Sequence, residues 1–312
     1  RTYDYNYVDV QYLQCGYKER KLTFEEKYSQ YKSAFEKRLS EFCNNITCKP
    51  DILAESMKYS LNLGGKRIRP VLMCAVSDVL GLDESKIENF ALALELIHTY
   101  SLIHDDLPEM DNDDFRRGKP SNHKVFGQGN AVLAGDALLN TAYSLLIDEC
   151  RNGGEYVSAA KNICDCAGIY GMIAGQSADL THENDEDPDE NTLDFIYENK
   201  TAKLVLAAVL TPSILCCGKY FSELKVFGRE TGILFQLTDD ILDVEGNFDV
   251  LGKSIGKDKA EGKYTCVKLY GIEKSKVKAD IIADKCTRVL EGIKGDTRFL
   301  KELTNFIRQR IY

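Results

Sequence analysis

Phe24, Tyr28, Tyr31, Phe35 and Leu39 return at steps of three and four residues. On a helix of about 3.6 residues per turn that spacing gathers them into one apolar stripe. Residues 51–63, 70–80, 85–107, 131–150, 156–178, 192–217 and 221–244 repeat the pattern. Breaks fall at Gly64-Gly65, Gly81, Pro108, residues 118–120, Gly153-Gly154, Pro188 and Gly246, with Asp83 and Asp189 placed as N-caps. No stretch alternates β-branched with polar residues, so no strand is expected. There is no linker rich in Pro, Gly or Ser and no internal repeat. The spacing therefore predicts an all-α fold of ten or more helices, larger than a four-helix bundle. Residues 1–21, which hold five tyrosines by Tyr17, are expected to form a peripheral arm, and residues 22–312 one domain.

Composition narrows the classes. Of 312 residues, 44% are hydrophobic and 29% charged, enough apolar material for a sizeable core. The formal charge of −9 argues against a nucleic-acid surface, which needs basic excess. The longest apolar run, 204–217, is short of the roughly 20 residues that span a bilayer, so no transmembrane segment is expected. Eleven cysteines, including Cys164, Cys166 and Cys216-Cys217, lack metal-ligand spacing. They read as reduced thiols of a cytoplasmic protein.

Two acidic clusters carry the chemistry. Asp105, Asp106 and Asp111 close one strongly apolar helix; Asp239, Asp240 and Asp243 close another, with Gln236 beside them. Carboxylates gathered at a helix C-terminus repel one another and meet the negative end of the helix dipole. A divalent cation resolves both problems, and clustered carboxylates without His or Cys suit Mg2+, which binds through one or two carboxylates plus substrate phosphates.

Basic groups alternate with the acidic ones. Lys66, Arg67 and Arg69 follow Gly64-Gly65 and precede a helix expected to start at Pro70, a combination that can wrap a phosphate. Arg116, Arg117 and Lys119 follow the first cluster, Lys200-Thr201 sits mid-helix, and Lys253, Lys257 and Lys263 follow the second. Metal and cations together point to a diphosphate site. His98, nearly two turns before Asp105, is either a core residue or a ligand contact.

At these residues the chain resembles the trans-type polyprenyl diphosphate synthases, the farnesyl/geranylgeranyl diphosphate synthase family. The resemblance runs from about residue 24 to the C-terminus. It rests on residues 64–70, His98, 101–129, 175–180, Lys200-Thr201 and 235–243, in the family's order and spacing. It implies a helical bundle around a deep central cavity, usually a homodimer. Asp105, Asp106, Asp111, Asp239, Asp240 and Asp243 would hold two or three Mg2+ ions, with Mn2+ able to substitute. Lys66, Arg69, His98 and Arg117 would bind isopentenyl diphosphate. Arg116, Lys200, Thr201, Gln236 and Lys253 would bind the allylic partner, dimethylallyl or geranyl diphosphate. The implied reaction is head-to-tail condensation through an allylic carbocation.

Product length rests on Tyr100 and Ser101, in the helix that leads to Asp105. An aromatic residue five positions before the first aspartate resembles the farnesyl makers of bacterial type, with geranylgeranyl makers close behind. On the helical wheel Tyr100 lies about 140° from Asp105 and Ser101 about 40°. Tyr100 is therefore expected in the shaft only if the tail runs between helices. A class I terpene cyclase, a metal-dependent phosphohydrolase and an inactive regulatory subunit are the competing classes. The basic cluster at 64–70, only four histidines and two intact acidic clusters weigh against them in turn.

Overall fold

The computed structural model describes residues 22–183, 185, 189–245 and 263–310. Helix α1 (Phe24–Asn45) opens on a capping box. The Thr23 hydroxyl accepts from the Glu26 amide at 3.2 Å, and Glu26 accepts from the Thr23 amide at 2.9 Å. Its stripe buries Tyr31, Phe35, Leu39 and Cys43. Then come α2 (Asp51–Leu61), α3 (Ile68–Leu80), α4 (Glu88–Asp105), α5 (Asn122–Phe126), α6 (Gln128–Glu149) and α7 (Gly154–Ala167). The second half holds α8 (Met172–Thr181), α9 (Glu190–Ile196), α10 (Lys203–Leu215), α11 (Phe221–Glu245), α12 (Cys266–Tyr270), α13 (Ile272–Glu291) and α14 (Arg298–Gln309).

Helices α4 and α10 are apolar on nearly every face and are enclosed by their neighbours. α4 packs along α6, while α10 is surrounded by α3, α7 and α11. Phe90, Leu92, Leu94, Leu96 and Ile97 of α4 are all fully buried. The amphipathic α14 closes the chain against its start: Phe299 stacks on Phe24 with ring centres 5.2 Å apart, and Phe306 lies 5.6 Å from Phe24. Among the described residues no helix is long and apolar enough to cross a membrane.

Several local expectations are corrected. The run expected as one helix over 156–178 is two, α7 and α8, broken at 168–171, where the backbone leaves helical geometry. The run over 192–217 is α9, a π-helical turn at Tyr197–Ala202, and α10. A short β-ladder, where no strand was expected, pairs Phe115 with Pro120 and Arg116 with Lys119. Arg117 and Gly118 turn its corner with φ of 53° and 73°, the left-handed pair that closes a tight hairpin. Asp83 caps a single 3-10 turn at Glu84–Lys86 rather than a helix. His123 is buried in α5 beside Ser121. Helix α3 starts at Ile68, not Pro70, because proline fits within a first turn whose N–H groups have no helical acceptor.

The π turn is held by close backbone packing on both sides. A Cβ on Gly175 of α8 would lie 2.0 Å from the Lys200 backbone nitrogen, and one on Gly232 of α11 would lie 2.4 Å from the Ala202 Cα. Only glycine lets α8 and α11 close on Lys200 and Ala202 this tightly. The ten described cysteines are free, and burial pushes Cys74, Cys266 and Cys286 up to about 12, where the thiol is inert.

Candidate active site

A cavity of about 950 Å³ opens where α4, α8, the π turn and α11 converge. Asp105 ends α4, and the chain then folds straight back. The Asp111 amide donates to the Asp105 carbonyl at 2.8 Å, and Asn112 takes a left-handed φ of 50°. That turn brings Asp105 and Asp111 to the same cavity wall. Burial raises the Asp105 carboxyl to about 6; Lys200 opposes the shift and Asp111 adds to it. Asp106 points away, 2% exposed and gripped by Arg116, whose Nε donates to Oδ1 at 2.9 Å.

The second cluster faces the first. Asp239 pairs with Arg310 at 2.7 Å, and Lys263 pairs with Asp111 at 3.1 Å. Asp240 accepts from the Tyr197 hydroxyl, from the Cys266 amide at 3.1 Å and from Gln236 at 2.8 Å. The Thr201 hydroxyl donates to the Gln236 carbonyl oxygen at 2.7 Å, which ties the π turn to α11. Asp243 is fully buried, one turn beyond the wall. Lys200 is paired with Asp179 of α8. Burial pulls its ammonium down, but Asp179 and Asp105 outweigh it, so Lys200 stays cationic above its ordinary range.

A cationic wall completes the cavity. Lys66, Arg69, His98 and Arg117 all line it. Burial lowers Arg69 to about 10, with Glu95 opposing and Arg117 adding. Burial first, then Arg69 and Arg117, holds His98 well below its usual range, so its imidazole is neutral at pH 7. Arg67 also borders the cavity, but it is 3% exposed and its guanidinium is taken up by Glu36 and Glu95. Below the aspartates Tyr100 and Ser101 both line the cavity. Tyr100 meets His104 edge-on with ring centres 5.7 Å apart, and His104 Nε2 lies 3.0 Å from the Val132 carbonyl.

The sequence model of the polyprenyl synthetase family matches residues 50–294. The chain belongs to this family. It is 41% identical over 287 residues to the farnesyl diphosphate synthase of Bacillus subtilis, covering 89% of this chain and 95% of that one. It is 42% identical over 251 residues to the chloroplastic geranylgeranyl pyrophosphate synthase of Capsicum annuum, covering 79% and 68%. The geranyltransferase of Helicobacter pylori, solved in complex with magnesium and isoprenyl diphosphate, superposes with a TM-score of 0.77. It is 30% identical, over 90% of this chain and 96% of that one. The protein is thus a prenyltransferase that condenses isoprenoid diphosphates, and membership sets aside the cyclase and phosphohydrolase classes.

Within this polyprenyl synthetase the six aspartates, expected as one ligand set, are not equivalent. Asp105, Asp111, Asp239 and Asp240 line the cavity, whereas Asp106 and Asp243 stand behind its wall. Among the described residues no three His, Cys, Asp or Glu side chains converge to cage a metal unaided. The donor set still fits Mg2+: oxygen-only carboxylates on opposite walls need a bridging anion such as a diphosphate, and Mg2+ commonly takes part of its shell from substrate phosphates. Lys253 and Lys257 lie outside the described residues. Sequence reasoning missed Glu95, Asp179, Tyr197 and Arg310. Glu95 had a signal, being the lone charge in the apolar run 90–97. Arg310 and Tyr197 had none.

Proposed function

We propose that this prenyltransferase makes farnesyl diphosphate from isopentenyl diphosphate and dimethylallyl, then geranyl, diphosphate. The observation that carries the product length is Tyr100, 6% exposed and set edge-on against His104 at the cavity wall below Asp105. A growing tail that descends from the aspartates meets this aromatic pair.

Asp105, Asp111 and Asp239 are the carboxylates that would hold Mg2+, with Asp240 kept in place by Tyr197 and Gln236. Bound Mg2+ would supply positive charge to the leaving diphosphate. Lys200, Arg116, Thr201, Gln236 and Lys253 bind that same allylic diphosphate; Lys66, Arg69, His98 and Arg117 hold the isopentenyl headgroup. The allylic C1–O bond breaks with both electrons leaving on the diphosphate. The isopentenyl double bond then attacks C1, and a proton leaves C2 of the new cation for the released diphosphate. Protein groups contribute fixed charge and register rather than a nucleophile. A homodimer in the cytoplasm belongs to the same proposal, with sedimentation as the test of the dimer.

Geranylgeranyl diphosphate is the second candidate product, favoured by the 42% identity to the pepper enzyme. The test is product chain length with isopentenyl and dimethylallyl diphosphates. A C15 product supports the assignment, and a mainly C20 product overturns it in favour of geranylgeranyl synthesis.

A further inference from the structure

Glu95 is a carboxylate 2% exposed in the middle of α4, and the chemistry of the two aspartate clusters makes no use of it. Its Oε1 accepts from Arg67 Nη1 at 2.7 Å. Arg67 also donates to Glu36 at 2.8 Å and to the Leu61 carbonyl at 2.8 Å, so one guanidinium joins α1, the end of α2 and α4. Arg67 does this from a left-handed φ of 52°, a strained conformation for a residue with a Cβ. Lys66 just before it and Arg69 two residues after it line the same cavity.

Arg69 and Arg117 line the same cavity as Glu95 and Arg67, within reach of this carboxylate's charge. Glu95 is the first charge that offsets the burial of Arg69, and likewise of Arg117. Arg69 and Arg117 are mutually repulsive, and Arg67 adds to the repulsion on Arg117. His98, one turn along α4, feels the same crowd of cations. Like charges brought together away from water repel strongly unless an anion is placed among them. A buried ion pair is poor value for stability alone, since apolar residues of similar volume often serve as well or better.

We propose that Glu95 is the positioning residue of the isopentenyl diphosphate subsite, a buried anion that holds Arg67 inward and keeps Arg69 and Arg117 together as a preformed fork. This rests on the assignment of Lys66, Arg69, His98 and Arg117 to that headgroup. Glu95 borders the same cavity, but its Oε1 is taken up by Arg67 at 2.7 Å, so it acts through the arginines.

The test is steady-state kinetics of full-length Glu95→Gln, varying each substrate in turn. Loss of one charge-assisted contact predicts a rise of about tenfold or more in KM for isopentenyl diphosphate. The KM for dimethylallyl diphosphate and kcat should change by less than about twofold, and Glu95→Asp should recover part of the loss. Both KM values unchanged beside a lowered Tm would reduce Glu95 to a structural role and overturn the proposal. Should Glu95→Gln not fold, Glu36→Gln removes the half-exposed partner of Arg67 instead. A smaller rise in the same KM then supports the proposal, and no rise overturns it. Arg117→Ala separates the two layers of inference. If it raises the allylic KM instead, the headgroup assignment fails. The positioning role then stands only if Glu95→Gln follows Arg117→Ala onto the allylic substrate, and falls if the two variants affect different substrates.

Discussion

Replacing Asp105 by asparagine should stabilise the metal-free protein while abolishing its activity. Burial pushes the Asp105 carboxyl from its ordinary 3.8 to about 6, so the folded chain binds this proton more tightly than the unfolded chain does. At about 1.4 kcal/mol per pKa unit, the ionised form costs the fold about 3 kcal/mol, and partial solvent access trims that to about 2 kcal/mol. The sign comes from the raised value. Wild-type stability is highest with Asp105 protonated and is lost as pH rises from about 4 through about 6, remaining flat above. Asparagine mimics the neutral acid at every pH. The gap between Asp105→Asn and wild type should therefore be near zero at pH 4 and reach about 2 kcal/mol by pH 7. Guanidinium unfolding of both proteins in EDTA, at half-unit pH steps, measures it. Adding Mg2+ with inorganic diphosphate should reverse the order, because only wild type gains the ligand. A variant no more stable than wild type at pH 7, or a gap that narrows as pH rises, would refute the reasoning from burial.

Tyr100→Ala should lengthen the product by at least one five-carbon unit and cost about 2–4 kcal/mol of stability as a truncated core residue; chromatography of dephosphorylated products and a denaturant curve check both, and an unchanged C15 product places the floor elsewhere. Arg310→Gln frees Asp239 from its cation at 2.7 Å and should lower the half-saturating Mg2+ about threefold, read from activity against metal concentration. A higher metal requirement would count against Arg310 as a competitor for that carboxylate. Gly175→Ala sets a Cβ 2.0 Å from the Lys200 nitrogen and 2.6 Å from the Asn199 carbonyl carbon, backbone atoms that cannot give way. It should cost about 3 kcal/mol and depress kcat, seen in a thermal melt and in turnover.

The helices were legible because their stripes recur over many turns, as Phe24 to Leu39 show, and burial of that face decides the structure. The break at 168–171 was not, since short glycine-bounded gaps sit inside an otherwise continuous apolar pattern. The π turn was hidden for a related reason. One extra residue in the hydrogen-bond ladder shifts the phase of the next helix without altering composition, so Lys200 and Thr201 read as mid-helix. Charged residues were legible as a set, but not the direction each faces. Arg67 and Arg69 stand two apart in one basic run, yet the left-handed backbone at Arg67 sends its guanidinium into Glu36 and Glu95. The wheel angle of Tyr100 likewise left its reach open, and it is the cavity's position between helices that brings Tyr100 and Ser101 to one wall.

The pairings suggest how a cavity so rich in charge stays folded before substrate arrives. Asp106 has Arg116, Asp111 has Lys263, Asp179 has Lys200 and Asp239 has Arg310, four ion pairs most of which join sequence-distant segments. Each relieves the repulsion that two facing acidic clusters would otherwise impose. A diphosphate carrying its own metal ions adds little net charge to such a cavity. On the proposed assignment, Asp111 and Asp239 would hold the metal and Lys263 and Arg310 would be freed to face the diphosphate. A metal ion alone would have to expel those cations, and a diphosphate alone would have to face the aspartates. The charge arrangement therefore favours metal and diphosphate entering together, which is also the state in which the leaving group is most strongly stabilised.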